Sequence, residues 1–238
     1  MASNVRDSYD AVIFDCDGVL VDSEALSIRG ERSALGEFGL HYTPEEYVNR
    51  FVGLHDGLFF EQLRIDYNQA HGRYAPDDFE ERVLDGRRRE RDGLTVIAGA
   101  DEALRLARAT FAQIGVASSS RAHFLEGKLR RMGLYKLAAP HVYSADLVAR
   151  GKPHPDIFSY TAERLGVEPA RCLVLEDSVN GVRAGLAAGM TVWGFVGGGH
   201  CYEGYEDRLS GAGAARVVKS HKAFNEVVSA RASSLVQG

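Results

Sequence analysis

Two aspartates one residue apart follow the first apolar run of the chain. They are Asp15 and Asp17 in the segment VIFDCDGVLVDSE, which covers residues 12–24. Two carboxylates so close resist being ionised together, so a buried strand gains no stability by ending in them. Such a pair is useful where a metal or another partner neutralises it. The spacing therefore indicates a chemical site at the end of this segment.

Three more polar segments follow apolar runs later in the chain. Ser118–Ser120 end QIGVASSS, and the segment GKPHPD places Lys152 a few residues after HVYSA. Glu176 and Asp177 end CLVLED. The carboxyl ends of parallel strands meet at one edge of a sheet, where ligands bind at the topological switch point. We therefore expect all four segments to deliver their side chains to one crevice.

The carboxylates suit a hard divalent metal. Asp15, Asp17 and Asp177 offer oxygen ligands, which favour Mg²⁺ over zinc or copper. Magnesium would neutralise the repulsion between the paired aspartates. It would also hold a phosphate oxygen in line with a carboxylate nucleophile. The sequence therefore predicts a Mg²⁺ cofactor and a reaction at phosphorus.

The other polar residues suit an anionic group. Ser118 and the amides that lead into a helix at Arg121 would form an anion site at a helix N-terminus. Lys152 would add a positive charge to the phosphate and to the nucleophile. Each residue alone has a structural explanation, because serine caps helices and aspartate at a strand end is often a turn residue. Their joint occurrence, always after a strand, favours one site.

An alternation of strands and helices positions these residues. Buried strands are predicted at Asp10–Asp15, Gln113–Ser118, His141–Ala145, Cys172–Asp177 and Thr191–Val196. Helices are predicted between them at Ala100–Ala109, Arg121–Met132, Asp156–Leu165 and Val179–Ala188. This alternation predicts an α/β fold with a parallel sheet covered by helices on both faces. Residues 24–93 break the rhythm with amphipathic helical patterns only, so we predict a helical cap domain there and a core at 1–23 and 94–238.

The composition is that of an ordinary globular protein. Of 238 residues 45% are hydrophobic, and the net charge of -5 gives no global electrostatic case for nucleic acid. One basic cluster, GRRRER at 86–91, is predicted to be a solvated helix face, with an anionic partner as the alternative. No segment has the length and apolarity of a membrane span, and MASNVRDSYD lacks the apolar core of a signal peptide.

The three cysteines are far apart, without metal or disulfide spacing, which is typical of a reducing compartment. We therefore expect a cytoplasmic protein without a membrane partner, as a monomer or weak homodimer. Cys16 should point away from the aspartates and be buried. His154 has no second histidine with which to bind a metal. The segment GGGH at 197–200 is interpreted as a loop near the pocket rim.

With these segments assembled, the sequence resembles the haloacid dehalogenase-like hydrolase superfamily. DCDGVLVDSE, the serine after the second strand, GKPHPDIF and VLEDSVNGVRAGLAAGM look like its four motifs. The resemblance spans almost the whole chain and is closest to the subgroup of β-phosphoglucomutase and small sugar-phosphate phosphatases, 6-phosphogluconate phosphatase among them. It implies a Rossmann-like core with a helical cap inserted between the first and second motifs.

The resemblance also implies catalytic roles. Asp15 would be the nucleophile that becomes an aspartyl-phosphate. Asp17 would be the general acid and then the base, and its backbone carbonyl would bind magnesium. Asp177 would complete the metal site, and Glu176 would bind the metal directly or through water. An aspartate two residues after the nucleophile argues for phosphoryl transfer rather than dehalogenation.

For the substrate, the resemblance assigns phosphate binding to Ser118, with Ser119 beside it, and charge stabilisation to Lys152. The cap loop FVGLHDG at 51–57 is expected to face the pocket and to bind the substrate through Gly53 and His55.

Two positions depart from the mutase pattern. Mutases of this subgroup have a histidine where this chain has Ser27, and an arginine for a second phosphate in the cap loop, where this chain offers Asp56. The leading hypothesis is a Mg²⁺-dependent phosphatase of a small phosphorylated metabolite, a sugar phosphate being favoured. A β-phosphoglucomutase-like phosphotransferase is the alternative, which Arg29, Arg50 and Arg64 would support if they point inward. A non-catalytic phosphate-binding module would require a lost motif, and none is lost.

Overall fold

The computed structural model describes residues 8–229. Residues 1–7 and 230–238 lie outside this range. They include both ends of the predicted core domain and most of the segment MASNVRDSYD, for which no signal peptide is predicted. Within the described range, no helix is long and apolar enough to cross a membrane.

A six-stranded sheet forms the centre of the molecule. All of its strand pairs are parallel, in the order β3-β2-β1-β4-β5-β6. The strands are β1 (Ala11–Phe14), β2 (Gln113–Ser118), β3 (Val142–Ser144), β4 (Cys172–Glu176), β5 (Thr191–Phe195) and β6 (Arg216–Val218). Five of them match the predicted strands, and β6 was missed because its three residues give too short an apolar run. Every residue of β1 is fully buried, as expected for a strand covered on both faces.

Four helices lie between β1 and the rest of the sheet. They are α1 (Glu24–Glu37), α2 (Pro44–Phe51), α3 (Asp56–His71) and α4 (Phe79–Arg89). Helices α1 and α4 pack closely, because a Cβ on Gly30 would lie 2.2 Å from the Gly86 carbonyl oxygen. A cluster of aromatic rings fills the space between the four helices. The predicted helical cap is therefore confirmed, whereas its limits at 24 and 93 stay a prediction.

Seven further helices cover the two faces of the sheet. They are α5 (Ala100–Thr110), α6 (Ala122–Arg131), α7 (Tyr135–Ala138), α8 (Asp156–Leu165), α9 (Val179–Ala187), α10 (Tyr205–Gly211) and α11 (His221–Ser229). Alternate residues of β1 enter opposite apolar clusters: Ile13 packs with α8 and α9, and Phe14 with α5, α6 and α11. The prediction of a parallel sheet with helices on both faces is confirmed.

Candidate active site

The loop after β1 folds back tightly against the end of β4. The Asp15 amide donates to the Leu175 carbonyl at 2.9 Å, and the Gly18 amide donates to the Val21 carbonyl at 2.8 Å. Gly18 has a φ of 75°, and a Cβ on it would lie 1.7 Å from Asp177 Oδ2. Only glycine fits this turn. As a result, the side chains that follow β1 and β4 meet at one edge of the sheet.

Three carboxylates and one ammonium form the floor of this site. Oxygen atoms of Asp15, Glu176 and Asp177 lie within 4.8 Å of one another, and all three residues are buried. Lys152 is also buried, and its Nζ lies 2.6 Å from Asp15 Oδ1 and 2.7 Å from Glu176 Oε2. One ammonium cannot neutralise three carboxylates. With all three carboxylates ionised, the floor would carry excess negative charge that a divalent cation would offset.

The pKa values of the floor residues reflect their burial and the repulsion between the carboxylates. Burial raises the pKa of Asp15 to about 7, with the charge of Lys152 opposing the rise and those of Glu176 and Asp17 adding to it. The pKa of Asp177 is raised well above its ordinary value by burial and then by the charges of Glu176 and Asp15. Burial opposes a charged Lys152, but the neighbouring carboxylates still raise its pKa.

Asp177 has a carboxylate oxygen that is free to bind a metal. Its Oδ2 is buried and makes no hydrogen bond with the described residues, although it lies 3.1 Å from His200 Nε2. Burial lowers the pKa of His200 to about 4, so this imidazole is neutral at physiological pH. The donor set is all carboxylate oxygen, which Mg²⁺ prefers. The residues present thus fit a magnesium ion. The GGGH segment is a loop, as predicted, but it buries His200 against Asp177 and does not line the cavity.

Asp17 faces a different set of partners. Its carboxylate accepts hydrogen bonds from Ser118 Oγ at 3.1 Å and from Ser120 Oγ at 2.8 Å. It also contacts the Ser23 hydroxyl and the Lys128 ammonium. Burial alone would raise the pKa of Asp17, but the charge and hydrogen bond of Lys128 and the hydroxyl donors lower it well below its usual range. In this structure Asp17 is an ionised carboxylate held by four donors.

Lys128 was not predicted from the sequence. It lies on α6, with its side chain 10% exposed, and also donates to Ser120 Oγ at 3.2 Å. Leu125, three residues earlier, is buried, so the helical period places Lys128 on the inward face of α6. A charged residue on an apolar helix face is the signal that could have identified it.

The two serines assigned to the substrate differ in position. Ser118 is fully buried, and its Oγ donates to Asp17 while accepting from the Ser120 amide at 3.0 Å. Ser119 and Ser120 line the open cavity. Ser119 Oγ lies 3.3 Å from the carbonyl oxygen of Gly53, which joins the core to the cap loop. The helix after these serines begins at Ala122, one residue later than predicted.

Gly53 and His55, the two cap-loop residues predicted to bind the substrate, differ in whether they line the cavity. Gly53 lines the cavity with a φ of 81°, and a Cβ on it would lie 2.2 Å from Ser178 Oγ. His55 is the N-cap of α3, where its Nδ1 accepts from the Gly57 amide at 3.2 Å. Its ring packs against Gly151 and does not line the cavity. The cap loop thus contacts the core, but only Gly53 of the two is placed to meet a ligand.

A cavity of about 410 Å³ lies between the floor and the cap. Its walls include Arg87 and Arg88. The basic cluster is a solvated face only in part: Arg88 and Arg89 are exposed as predicted, whereas α4 turns Arg87 inward to contact Glu31 and Asp56. Its mouth is lined by apolar side chains as well, including Leu26, Leu84 and Phe124.

The other arginines considered for the cap point elsewhere. Arg29, Arg50 and Arg64 pair with Glu90, Asp66 and Glu80 and do not line the cavity. His154 is exposed, and Cys16 is fully buried in the apolar core, as predicted.

Comparisons with known proteins agree with this geometry. The family described as haloacid dehalogenase-like hydrolase matches residues 9–189. The chain is 32% identical over 218 residues to a phosphorylated carbohydrates phosphatase from Thermotoga maritima, covering 91% of this chain and 97% of that protein. It is 30% identical over 193 residues to 6-phosphogluconate phosphatase from Escherichia coli, covering 80% and 84%.

A solved structure is also similar. A haloacid dehalogenase family hydrolase from Deinococcus radiodurans, with bound phosphate and sodium, shares 39% identity with a TM-score of 0.76, covering 94% of this chain and 97% of that one. The predicted enzyme class is confirmed, since the two curated relatives from Thermotoga and Escherichia are both phosphatases by name. The chain belongs to the haloacid dehalogenase-like hydrolase family.

Proposed function

We propose that the protein is a Mg²⁺-dependent phosphatase that hydrolyses a small phosphorylated carbohydrate through an aspartyl-phosphate on Asp15. The observation that carries the proposal is the buried cluster of three carboxylates beside Lys152, at the floor of an open cavity. The names of the Thermotoga and Escherichia relatives support the substrate class.

In this proposal Asp15 attacks the phosphorus atom. Lys152, at 2.6 Å, holds the Asp15 carboxylate in place and neutralises charge as it develops. Magnesium, when bound, would neutralise the carboxylates and polarise a phosphoryl oxygen. We assign its protein ligands to Asp15, the Asp17 carbonyl and Asp177, with Glu176 binding directly or through water.

Asp17 is assigned as the general acid for the leaving group and then the base for water. Before substrate binds, Asp17 is an ionised carboxylate that accepts hydrogen bonds from Lys128 and from three serine hydroxyls. An incoming phosphate is itself an anion and would compete for Ser120 and Lys128. Release of these donors would raise the pKa of Asp17 and allow it to carry a proton to the leaving oxygen.

The helical cap, proposed to span residues 24–93, would close over the substrate. Core–cap contacts support this: Asn180 Nδ2 donates to the Val52 carbonyl at 2.9 Å, and Tyr202 OH to Asn49 Oδ1 at 2.7 Å. A closed cap would exclude bulk water while the phosphoryl group is transferred.

The test compares Asp15→Asn with Asp22→Asn, an aspartate of the same loop that does not line the cavity and accepts from the Gly199 amide. Phosphate release is measured from a panel of phosphorylated carbohydrates with magnesium and with excess chelator. We expect release by the wild type and Asp22→Asn in magnesium only, and none by Asp15→Asn. Turnover by Asp15→Asn near the wild-type rate, or full activity in chelator, would contradict the proposal.

The mutase alternative has its own assay. Incubation with β-glucose 1-phosphate, catalytic glucose 1,6-bisphosphate and magnesium should release inorganic phosphate faster than it forms glucose 6-phosphate. The reverse order would favour a phosphotransferase. Ser27 weakens the mutase alternative, because it lines the cavity where the mutase pattern has a histidine.

A further inference from the structure

The cap side of the cavity carries charges that the catalytic floor does not use. Glu24, Glu31 and Asp56 bring three carboxylates to the wall, and Arg87 and Arg121 bring two guanidinium groups. A phosphate held at the floor would point the rest of its molecule toward this wall. The state of these five side chains therefore bears on which leaving group the cavity accepts.

Both guanidinium groups are already occupied. Asp56 Oδ1 lies 3.1 Å from Arg87 Nη1, and Asp56 Oδ2 lies 3.4 Å from Arg121 Nε. Arg87 also pairs with Glu31, which in turn accepts from the hydroxyl of Tyr47 at 2.6 Å. Asp56 thus links a cap arginine to a core arginine, and together with Glu31 it balances their two positive charges.

The two arginines nearer the rim are also paired. Arg88 lies 2.8 Å from Asp85, and Arg131 donates to the carbonyl of Asp92 at 3.1 Å. In the described part of the chain, every arginine of the cavity wall therefore has an acidic or carbonyl partner. A second phosphate or a carboxylate on the ligand would have to compete with an existing ion pair or hydrogen bond for each of these arginines.

Glu24 is the exception among the wall carboxylates. It is partly buried, lines the cavity, and makes no hydrogen bond or ion pair with another described residue. A carboxyl group in this position can accept hydrogen bonds from hydroxyl groups of a ligand. It brings no positive charge to a second anion. The wall as a whole suits hydroxyl groups and disfavours a second negative charge.

We infer that the substrate is a monophosphate of a polyhydroxylated carbon chain or ring that bears no second anionic group, and that Asp56 sets this preference by holding Arg87 and Arg121. The inference rests on the proposed function and deepens it. The substrate preference of this chain would then differ from that of its Escherichia relative named for 6-phosphogluconate, a compound with a terminal carboxylate.

Two ligands test the inference, because glucitol 6-phosphate and 6-phosphogluconate differ only at carbon 1, a CH₂OH in one and a carboxylate in the other. Their binding to Asp15→Asn is measured by titration calorimetry in magnesium buffer, where turnover is removed. We expect glucitol 6-phosphate to bind at least ten times more tightly. Equal or tighter binding of 6-phosphogluconate would overturn the inference.

Asp56→Asn, made in the same background, removes the only ion pair of Arg121 among the described residues and one of the two ion pairs of Arg87, which keeps its contact with Glu31. We expect its affinity for 6-phosphogluconate to rise at least fivefold and its affinity for glucitol 6-phosphate to stay within threefold. A misfolded variant would lose both ligands, so a selective gain cannot arise from damage. The control is Asp66→Asn on the same helix, which pairs with Arg50 outside the cavity and should change neither affinity.

No selective gain in Asp56→Asn would overturn the role of that residue. A different measurement tests the proposed function: if the wild-type enzyme releases phosphate from none of the esters tested, the proposed function is wrong. A binding preference without phosphate release would keep the inference about the wall and reject the phosphatase.

Discussion

Replacing Lys152 by methionine should destabilise the metal-free protein and make its stability depend on magnesium. Methionine matches the length and volume of the lysine side chain but carries no charge. The change leaves Asp15, Glu176 and Asp177 in one buried cluster with no cation beside them. Carboxylates in that state repel one another and lack the partner that compensated their burial.

The magnitude follows from the contacts. Lys152 lies 2.6 Å from Asp15 and 2.7 Å from Glu176, and Coulomb's law at an effective dielectric constant of about 20 gives about 6 kcal/mol for one such contact before desolvation is subtracted. Removing one partner of a buried ion pair costs ~3–5 kcal/mol in practice. We expect a loss in that range in the free energy of unfolding without metal.

The assay is urea unfolding at pH 8, in chelator and in saturating magnesium. Magnesium at 100 times its Kd stabilises a folded state by ~2.7 kcal/mol, and we expect at least this recovery in the variant. The control is Lys136→Met, an exposed lysine on α7. A loss below about 1 kcal/mol in chelator, equal to that of the control, would refute the reasoning, since it would mean that the cluster does not depend on its ammonium group.

Three other predictions follow from the structure. Lys128→Met should lower kcat/KM at least tenfold in steady-state phosphate release, because it removes the charge that holds Asp17; an unchanged kcat/KM would contradict this. Gly18→Ala should weaken magnesium binding in calorimetry, since the new Cβ displaces Asp177. Desolvation lowers the pKa of buried His221 to about 4. Below pH 6.5 the folded state therefore binds fewer protons than the unfolded state, and the free energy of unfolding decreases as the pH is lowered. Its share of that loss between pH 7 and pH 5 is about 2 kcal/mol, and His221→Gln should remove it in urea unfolding at the two pH values; an unchanged pH dependence would contradict the assignment.

The floor of the cavity was predictable because topology alone brings its residues together. Asp15 follows the central strand, and Glu176 and Asp177 end the strand beside it, so a parallel pairing of β1 with β4 is enough to make them neighbours. Apolar runs are the strongest signal of buried strands, and a polar residue at the end of such a run has few structural reasons to be there. The same logic placed Lys152, although it follows its strand by eight residues.

The residues on the cap side of the cavity were not predictable in the same way, because their effect depends on pairs formed across separate helices. Arg87 lies four residues after the buried Val83 and so on the inward face of α4, yet its neighbours in sequence suggest a solvated basic run. Asp56, read alone, is a negative charge where a mutase would need a positive one. In the fold it compensates two arginines, one from the cap and one from the core. The charge of one residue therefore does not give the net charge of the wall, which depends on the ion pairs that form in the fold.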